Sequence, residues 1–252
     1  VILTEIAAGG VDVERMFVTA STRGSGAAGN VEIRSASLES IGLDGGRVTL
    51  ASRSTDAGAA GVVTLVADTI NLTGTDVAAE NAGASNGFET AIDVRATAGD
   101  LILGDSTVIA NTLGASDAGS IVLFGTNTEL TDSTVSSETS AEVGGGNAGS
   151  VSIGFLAEVV DEDTLEIIEE MRPSSSVKLR ATGPNPDPDP DSEESLTFVT
   201  ASTSGSGAAG NVVIRSASLE SIGLDGGRVT LASRSTDVGA AGVVTLVADT
   251  IN

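Results

Sequence analysis

The residues of this chain best suited to chemistry are carboxylates. Asp187, Asp189, Asp191 and Glu193 lie in the run DPDPDSEE, with Glu194 beside them. Acids at every second position of an extended segment can converge on a hard cation, and Ca²⁺ takes six to eight oxygen ligands. The four are therefore candidate Ca²⁺ ligands. The competing reading is a solvated acidic linker stiffened by proline. No Gly stands at the turn position that an EF-hand loop requires. A second acidic group, Asp161, Glu162 and Asp163, reads either as ligands or as charge at the start of a helix, where it favours the macrodipole.

Other chemistry is limited by what the chain lacks. Its 252 residues include no Cys and no His. That removes disulfides, thiolate metal sites and the commonest general base. Acids number 35 against 12 bases, for a net charge of −23. The balance excludes a nucleic-acid surface and docking on anionic lipid. No apolar run is long enough to span a bilayer. Arg34, Arg47, Arg53 and Arg95 are scattered and do not converge with acids in the sequence.

The elements that must position these residues are repeats. Blocks 17–71 and 198–252 differ only at Arg23/Ser204, Glu32/Val213 and Ala57/Val238. A finer unit recurs about every thirty residues. An Ala-Gly step stands at Ala28-Gly29, Ala60-Gly61, Ala118-Gly119, Ala148-Gly149, Ala209-Gly210 and Ala241-Gly242. An apolar pair at alternate positions follows each: Val31/Ile33, Val63/Leu65, Ile121/Leu123, Val151/Ile153, Val212/Ile214 and Val244/Leu246, with Ile92/Val94 as a variant member. A middle piece such as Ile70-Asn71-Leu72 and a later V-x-A/S-x-T piece complete the unit. Aromatics make up only 2% of the chain. Small and β-branched side chains must therefore build the core, and these fit pleated strands.

Three short strands per unit, too close for an intervening helix, predict an all-β fold. The expectation is a right-handed single-stranded parallel β-helix, a solenoid of about 30 residues per coil, continuous over residues 1–252. Val31, Val63, Ile92, Ile121, Val151, Val212 and Val244 would stack in one interior column at the interstrand spacing of about 4.8 Å. The unit 151–211 is either two coils or one coil with two insertions, and one coil is the favoured reading. Residues 154–176 predict a short amphipathic helix: Asp163 to Glu166 forms a capping box, Leu165, Ile168 and Met171 follow at helical spacing, and Pro173 ends it. Residues 182–195 predict a protruding acidic, Pro-rich loop.

GNAGSVSI (146–153), GAAGNVEI (26–33) and DSTVIANT (105–112) resemble the repeats of filamentous-haemagglutinin-type exoproteins, which leave Gram-negative bacteria by two-partner secretion. The resemblance covers nearly the whole chain outside the two insertions. It implies a parallel β-helix, display outside the cell or on the bacterial surface, and adhesion.

Further residues have bland and specific readings side by side. Asp44-Gly45-Gly46 and Asp225-Gly226-Gly227 are turn signals, since no phosphate-loop Lys follows. Thr22, Thr112 and Thr139 are either ordinary solvent-facing strand residues or rows of a hydroxyl face that meets ice or glycan. Asn71-Leu72-Thr73 matches the glycosylation pattern. The leading functional expectation is a structural or adhesive rod segment, not an enzyme, with no cofactor beyond a candidate Ca²⁺. Its partners would be itself, by covalent continuation or end-to-end stacking into a fibre, and a glycan or cell-surface receptor. The alternatives are a carbohydrate-active β-helical enzyme, which needs converging carboxylates in a groove, and a Ca²⁺-dependent binding module. Val1 and Asn252 do not read as caps, so the chain reads as a processed product or an excerpt.

Overall fold

The structure is a computed structural model of the 252-residue chain. It describes residues 1–6, 15–43, 46–82, 90–140, 145–156, 159–160, 167–169, 172–183, 196–224 and 226–252. Among these the fold is all β, without helix. Two large sheets carry parallel strands, as in a solenoid.

Alternate residues of a strand face opposite sides, and parallel pairing then stacks like on like. In the first sheet Val31, Val63, Ile92, Ile121, Val151, Val212 and Val244 are successive register partners. All are buried except Val244, which is 39% exposed. A second column of the same sheet runs Leu38, Ile70, Leu101, Thr128, Val177, Leu219, Ile251. The second sheet takes Arg15–Thr22, Arg47–Ser54, Thr75–Asn81, Thr107–Thr112, Thr134–Thr139, Leu196–Thr203 and Arg228–Ser235 in order. Its inward column is Val18, Leu50, Val77, Val108, Val135, Val199, Leu231. The columns meet in one continuous apolar core.

Three separate strands per unit form over 90–112 and 120–139. In three other units the first two pieces fuse: Val31–Leu43, Val63–Thr73 and Val212–Gly223 each run as one strand. The long unit occupies a single level, because Val151 pairs with Ile121 on one side and Val212 on the other.

The Ala-Gly step marks a corner where backbones touch. A Cβ on Gly149 would lie 2.3 Å from the Gly119 carbonyl oxygen, and one on Gly210 would lie 2.1 Å from that of Gly149. Only hydrogen fits there. Serines of the second sheet stitch this corner. Ser52 Oγ donates to Gly29 O at 2.9 Å and accepts from Gly61 N at 2.7 Å. Ser137 does the same for Gly119 and Gly149, and Ser233 for Gly210 and Gly242.

The corner entering the second sheet uses another device. Gly74, Asp105 and Asp132 adopt φ of 57°, 46° and 49°, a region costly for most L residues but tolerated by Gly and Asp. Each is followed by a buried hydroxyl: Thr75, Ser106 and Ser133. Backbone N–H groups donate along this row, Thr75 to Ser106 Oγ at 3.1 Å and Ser106 to Ser133 Oγ at 3.2 Å. The row continues from Ser133 N to Thr197 Oγ1 at 3.4 Å.

The helix expected over 154–176 is not found in the described residues. Phe155–Leu156 pairs antiparallel with Arg172–Ala181, and Val159–Val160 with Ile167–Glu169. Val159, Val160, Ile167 and Ile168 are β-branched, stiff at χ1 and better suited to strand. That preference outweighs the helical spacing of Ile168 with Leu165 and Met171. The capping box Asp163–Glu166 and Met171 lie outside the described residues. At the root of the insertion, Gly154 has φ 78°. The Arg215 guanidinium lies 4.9 Å from the centre of the Phe155 ring. Its counterpart in the first block, Arg34, pairs with Glu32, a residue replaced by Val213 in the second block.

Two substitutions test this packing. Gly149→Ala should lower unfolding stability by about 2 kcal/mol, because a backbone oxygen cannot move aside cheaply. Thr128 sits buried between Leu101 and Val177, and its hydroxyl has no hydrogen-bond partner among the described residues. Thr128→Val should therefore raise stability by about 1 kcal/mol. Guanidinium melts read both; a lowered midpoint for Thr128→Val would refute the placement of that side chain.

Candidate functional site

Outward positions of the second sheet form three rows on its solvent face. One row runs Phe17, Thr49, Asp76, Thr107, Thr134, Phe198, Thr230 in register. The next runs Thr19, Ala51, Ala78, Ile109, Ser136, Thr200, Ala232, and the third Ser21, Arg53, Glu80, Asn111, Glu138, Ser202, Arg234. Parity decides this placement. Phe198 stands one residue before inward Val199, so it must face out.

The first half of the face is closed by ion pairs. Arg47 Nη2 lies 2.6 Å from Asp76 Oδ1, and its Nε lies 3.1 Å from Oδ2. Asp105 adds a carboxylate 3.8 Å from Arg47 Nη1. The hydrogen bond with Asp76 raises the Arg47 pKa above its ordinary value, against the opposing effect of burial; the charges of Asp76 and Asp105 raise it further. A raised pKa stabilises the folded state below the ordinary Arg range and is lost only at more alkaline pH, so this pair holds throughout the neutral range. Arg53 pairs with Glu80 in the third row. Ala51 and Ala78 lie buried in the row between these pairs.

A groove of about 290 Å³ is lined by Phe198, with Thr134 and Thr230 on either side of it, by Thr200 and Ala232, and by Glu138, Ser202 and Arg234. Ser136 and Thr200 share a hydroxyl hydrogen bond of 2.9 Å, and Ser136 also donates to Glu138. The groove thus joins one part-exposed aromatic ring, several hydroxyls, one carboxylate and one guanidinium. Sequence reasoning missed Phe198, Glu138 and Arg234 as a group. Their parity was readable; the distance in sequence between residues 138 and 198 hid their adjacency.

The candidate Ca²⁺ ligands Asp187, Asp189, Asp191 and Glu193 lie outside the described residues, as do Asp161, Glu162 and Asp163. Among the described residues no three acidic side chains cluster as metal ligands would. Thr112 and Thr139 do not form an outer hydroxyl face: both are buried, and Thr22 shares their inward column. The reason is again parity, since the Thr of V-x-A-x-T lies four residues after an inward Val. Arg34, Arg47, Arg53 and Arg95 each hold a carboxylate: Glu32, Asp76, Glu80 and Asp93. Asn71 is part-exposed and accepts a hydrogen bond from Thr73 Oγ1 at 3.2 Å. The turn signal at 225–227 is met by a Gly227 N to Leu224 O bond of 2.8 Å, with Gly226 at φ 93°; Asp44, Gly45 and Asp225 lie outside the described residues.

Compared with family models, curated proteins and solved structures, the chain matches none.

Proposed function

We propose that the chain is a rod segment of right-handed single-stranded parallel β-helix, about thirty residues to the coil, in a repetitive exported protein with a structural and adhesive role. The observation that carries this is the inward column of seven apolar residues, Val31 to Val244, each the direct register partner of the next. Partners stand 29 to 32 residues apart, except for the pair flanking the insertions, which is 61 apart. Right-handedness accords with the strong bias of connections between parallel strands of one sheet. Such a stack gains stability level by level and has no inherent length limit.

An extracellular or cell-surface setting is supported by the resemblance to filamentous-haemagglutinin-type repeats and by the charge of −23, which keeps an extended rod solvated. The duplicated blocks favour a scaffold over a catalyst, because a rod gains from repetition and an active site does not. The groove on the second sheet holds one carboxylate, Glu138, whereas glycoside hydrolysis uses two.

Three measurements test the reading. Oriented films of the purified chain should diffract at about 4.8 Å along the rod axis. Electron micrographs should show rods of constant width, and antibody against the chain should label intact, unpermeabilised cells that produce it. Compact particles without the axial reflection, or label only after permeabilisation, would count against the rod and the surface setting respectively.

A further inference from the structure

We propose that the corner beside Ala79 is a binding site for an ordered water molecule, which does there what a serine hydroxyl does at other levels of the stack. The corner where the Ala-Gly step meets the second sheet makes a fixed demand. The glycine carbonyl of one level and the glycine N–H of the next both turn toward one side chain of the second sheet. Where that side chain is Ser52, Ser137 or Ser233, its hydroxyl serves both groups. Register places Ala79 one level beyond Ser52, and Ala110 one level beyond Ala79. An alanine methyl can neither donate nor accept.

Backbone groups are left over where these alanines stand. Gly61 C=O holds the place in its level that Gly29 C=O holds beside Ser52, since Val31 and Val63 are register partners. It has no hydrogen-bond partner among the described residues, and neither has Gly119 N–H nor Ala60 N–H. At other levels the N–H equivalent to that of Ala60 meets a carbonyl: Ala28 donates to Ala59 O at 2.8 Å, and Ala148 to Ala208 O at 2.9 Å. A buried backbone group left unpaired costs about as much as a lost hydrogen bond. Water meets such groups where there is room and where two to four polar partners are in reach.

The room is there. A pocket of about 20 Å³ is lined by Ala60, Gly61, Ala79, Ala91 and Gly119, and roughly 10–15 Å³ suffices for one water. At the next level Thr90-Ala91 replaces the Ala-Gly step, and the ladder shifts register between Ser120 and Ile121. The glycine that closes other corners is therefore a threonine at this one. The buried residues Asn81 and Thr112 add polar groups to the wall. The site lies inside the stack, because Thr75–Asn81 is paired with Arg47–Ser54 on one side and Thr107–Thr112 on the other. The mixture of groups selects the ligand. A cation would face N–H groups of the wrong polarity, and an apolar molecule would leave every group unpaired. Water donates to Gly61 C=O and accepts from an N–H of the lining.

Crystal structures of the whole chain and of its Ala79→Ser variant, refined with ordered solvent, test the site. In the parent a water should lie about 3 Å from Gly61 O. In Ala79→Ser the new Oγ should take that place, donating to Gly61 O as Ser52 donates to Gly29 O, and the water should be displaced. Serine already stands at the equivalent positions 52, 137 and 233, so the variant should fold. Its guanidinium midpoint should be no lower than the parent's, because holding a water costs entropy that an attached hydroxyl does not. The proposal is overturned if the parent's pocket is dry or filled by protein atoms. It is equally overturned if the water keeps its place in Ala79→Ser, or if the serine lowers the midpoint. None of these outcomes touches the axial diffraction or the surface labelling, so the site can fail while the rod stands.

Discussion

A parallel ladder brings each residue within about 4.8 Å of its partner on the next strand, at every position along the strand. Side chains inside such a stack have no freedom to choose neighbours. Whatever stands at one level must tolerate its counterpart above and below. The core of this chain obeys that constraint with Val, Ile and Leu in the apolar columns. Phe124 is the one Phe among the largest fully buried side chains of the described residues.

The constraint also explains the buried polar residues. A corner breaks the ladder, and the backbone groups released there need partners. Hydroxyls suit the task because one oxygen can donate to a carbonyl on its own level and accept an N–H from the next. Ser106 bridges levels in this way, donating to Gly104 O at 2.9 Å while accepting from Thr75 N. Ser52, Ser137 and Ser233 do it at the glycine corner, where their positions alternate with the alanines Ala20, Ala79, Ala110 and Ala201. A short side chain is required in either case, since the glycine backbone lies against it. The Ala-Gly step that first marked the repeat is thus a contact between levels.

Much of the fold is legible in the sequence because columns repeat. The pairing of Val31 with Val63 and Val63 with Ile92 can be read from spacing alone; the 61 residues from Val151 to Val212 fit two coils as well as one, and the register places them on a single level. Whatever does not repeat escapes such a reading. The segment 154–176 offers a capping box and a helical period, with β-branched residues mixed in. No register settles the matter there, so local signals of both kinds compete, and the strand preference of Val159, Val160, Ile167 and Ile168 proves decisive. Thr112 and Thr139 mislead for another reason. Their polarity suggests exposure, although counting from the inward Val by twos places both inside. Arg215 shows the limit of repetition: its sequence context differs from that of Arg34 by one neighbour, and it lies over the Phe155 ring.

Outward positions are released from the demands of the core, and the two halves of the second sheet have used that freedom differently. Inward columns cannot vary without disturbing the levels on either side. Outward rows can, because water fills any gap and a change costs little in stability. Between Arg47 and Glu80 the rows carry opposite charges at adjacent levels, so the face seals itself. Between Thr134 and Arg234 the acid and the base stand two strands apart, with Ser202 between them. The same backbone, register and interior underlie both. Function in such a stack is written by which residues meet across levels on the outside, while the interior supplies a fixed ruler against which they are placed.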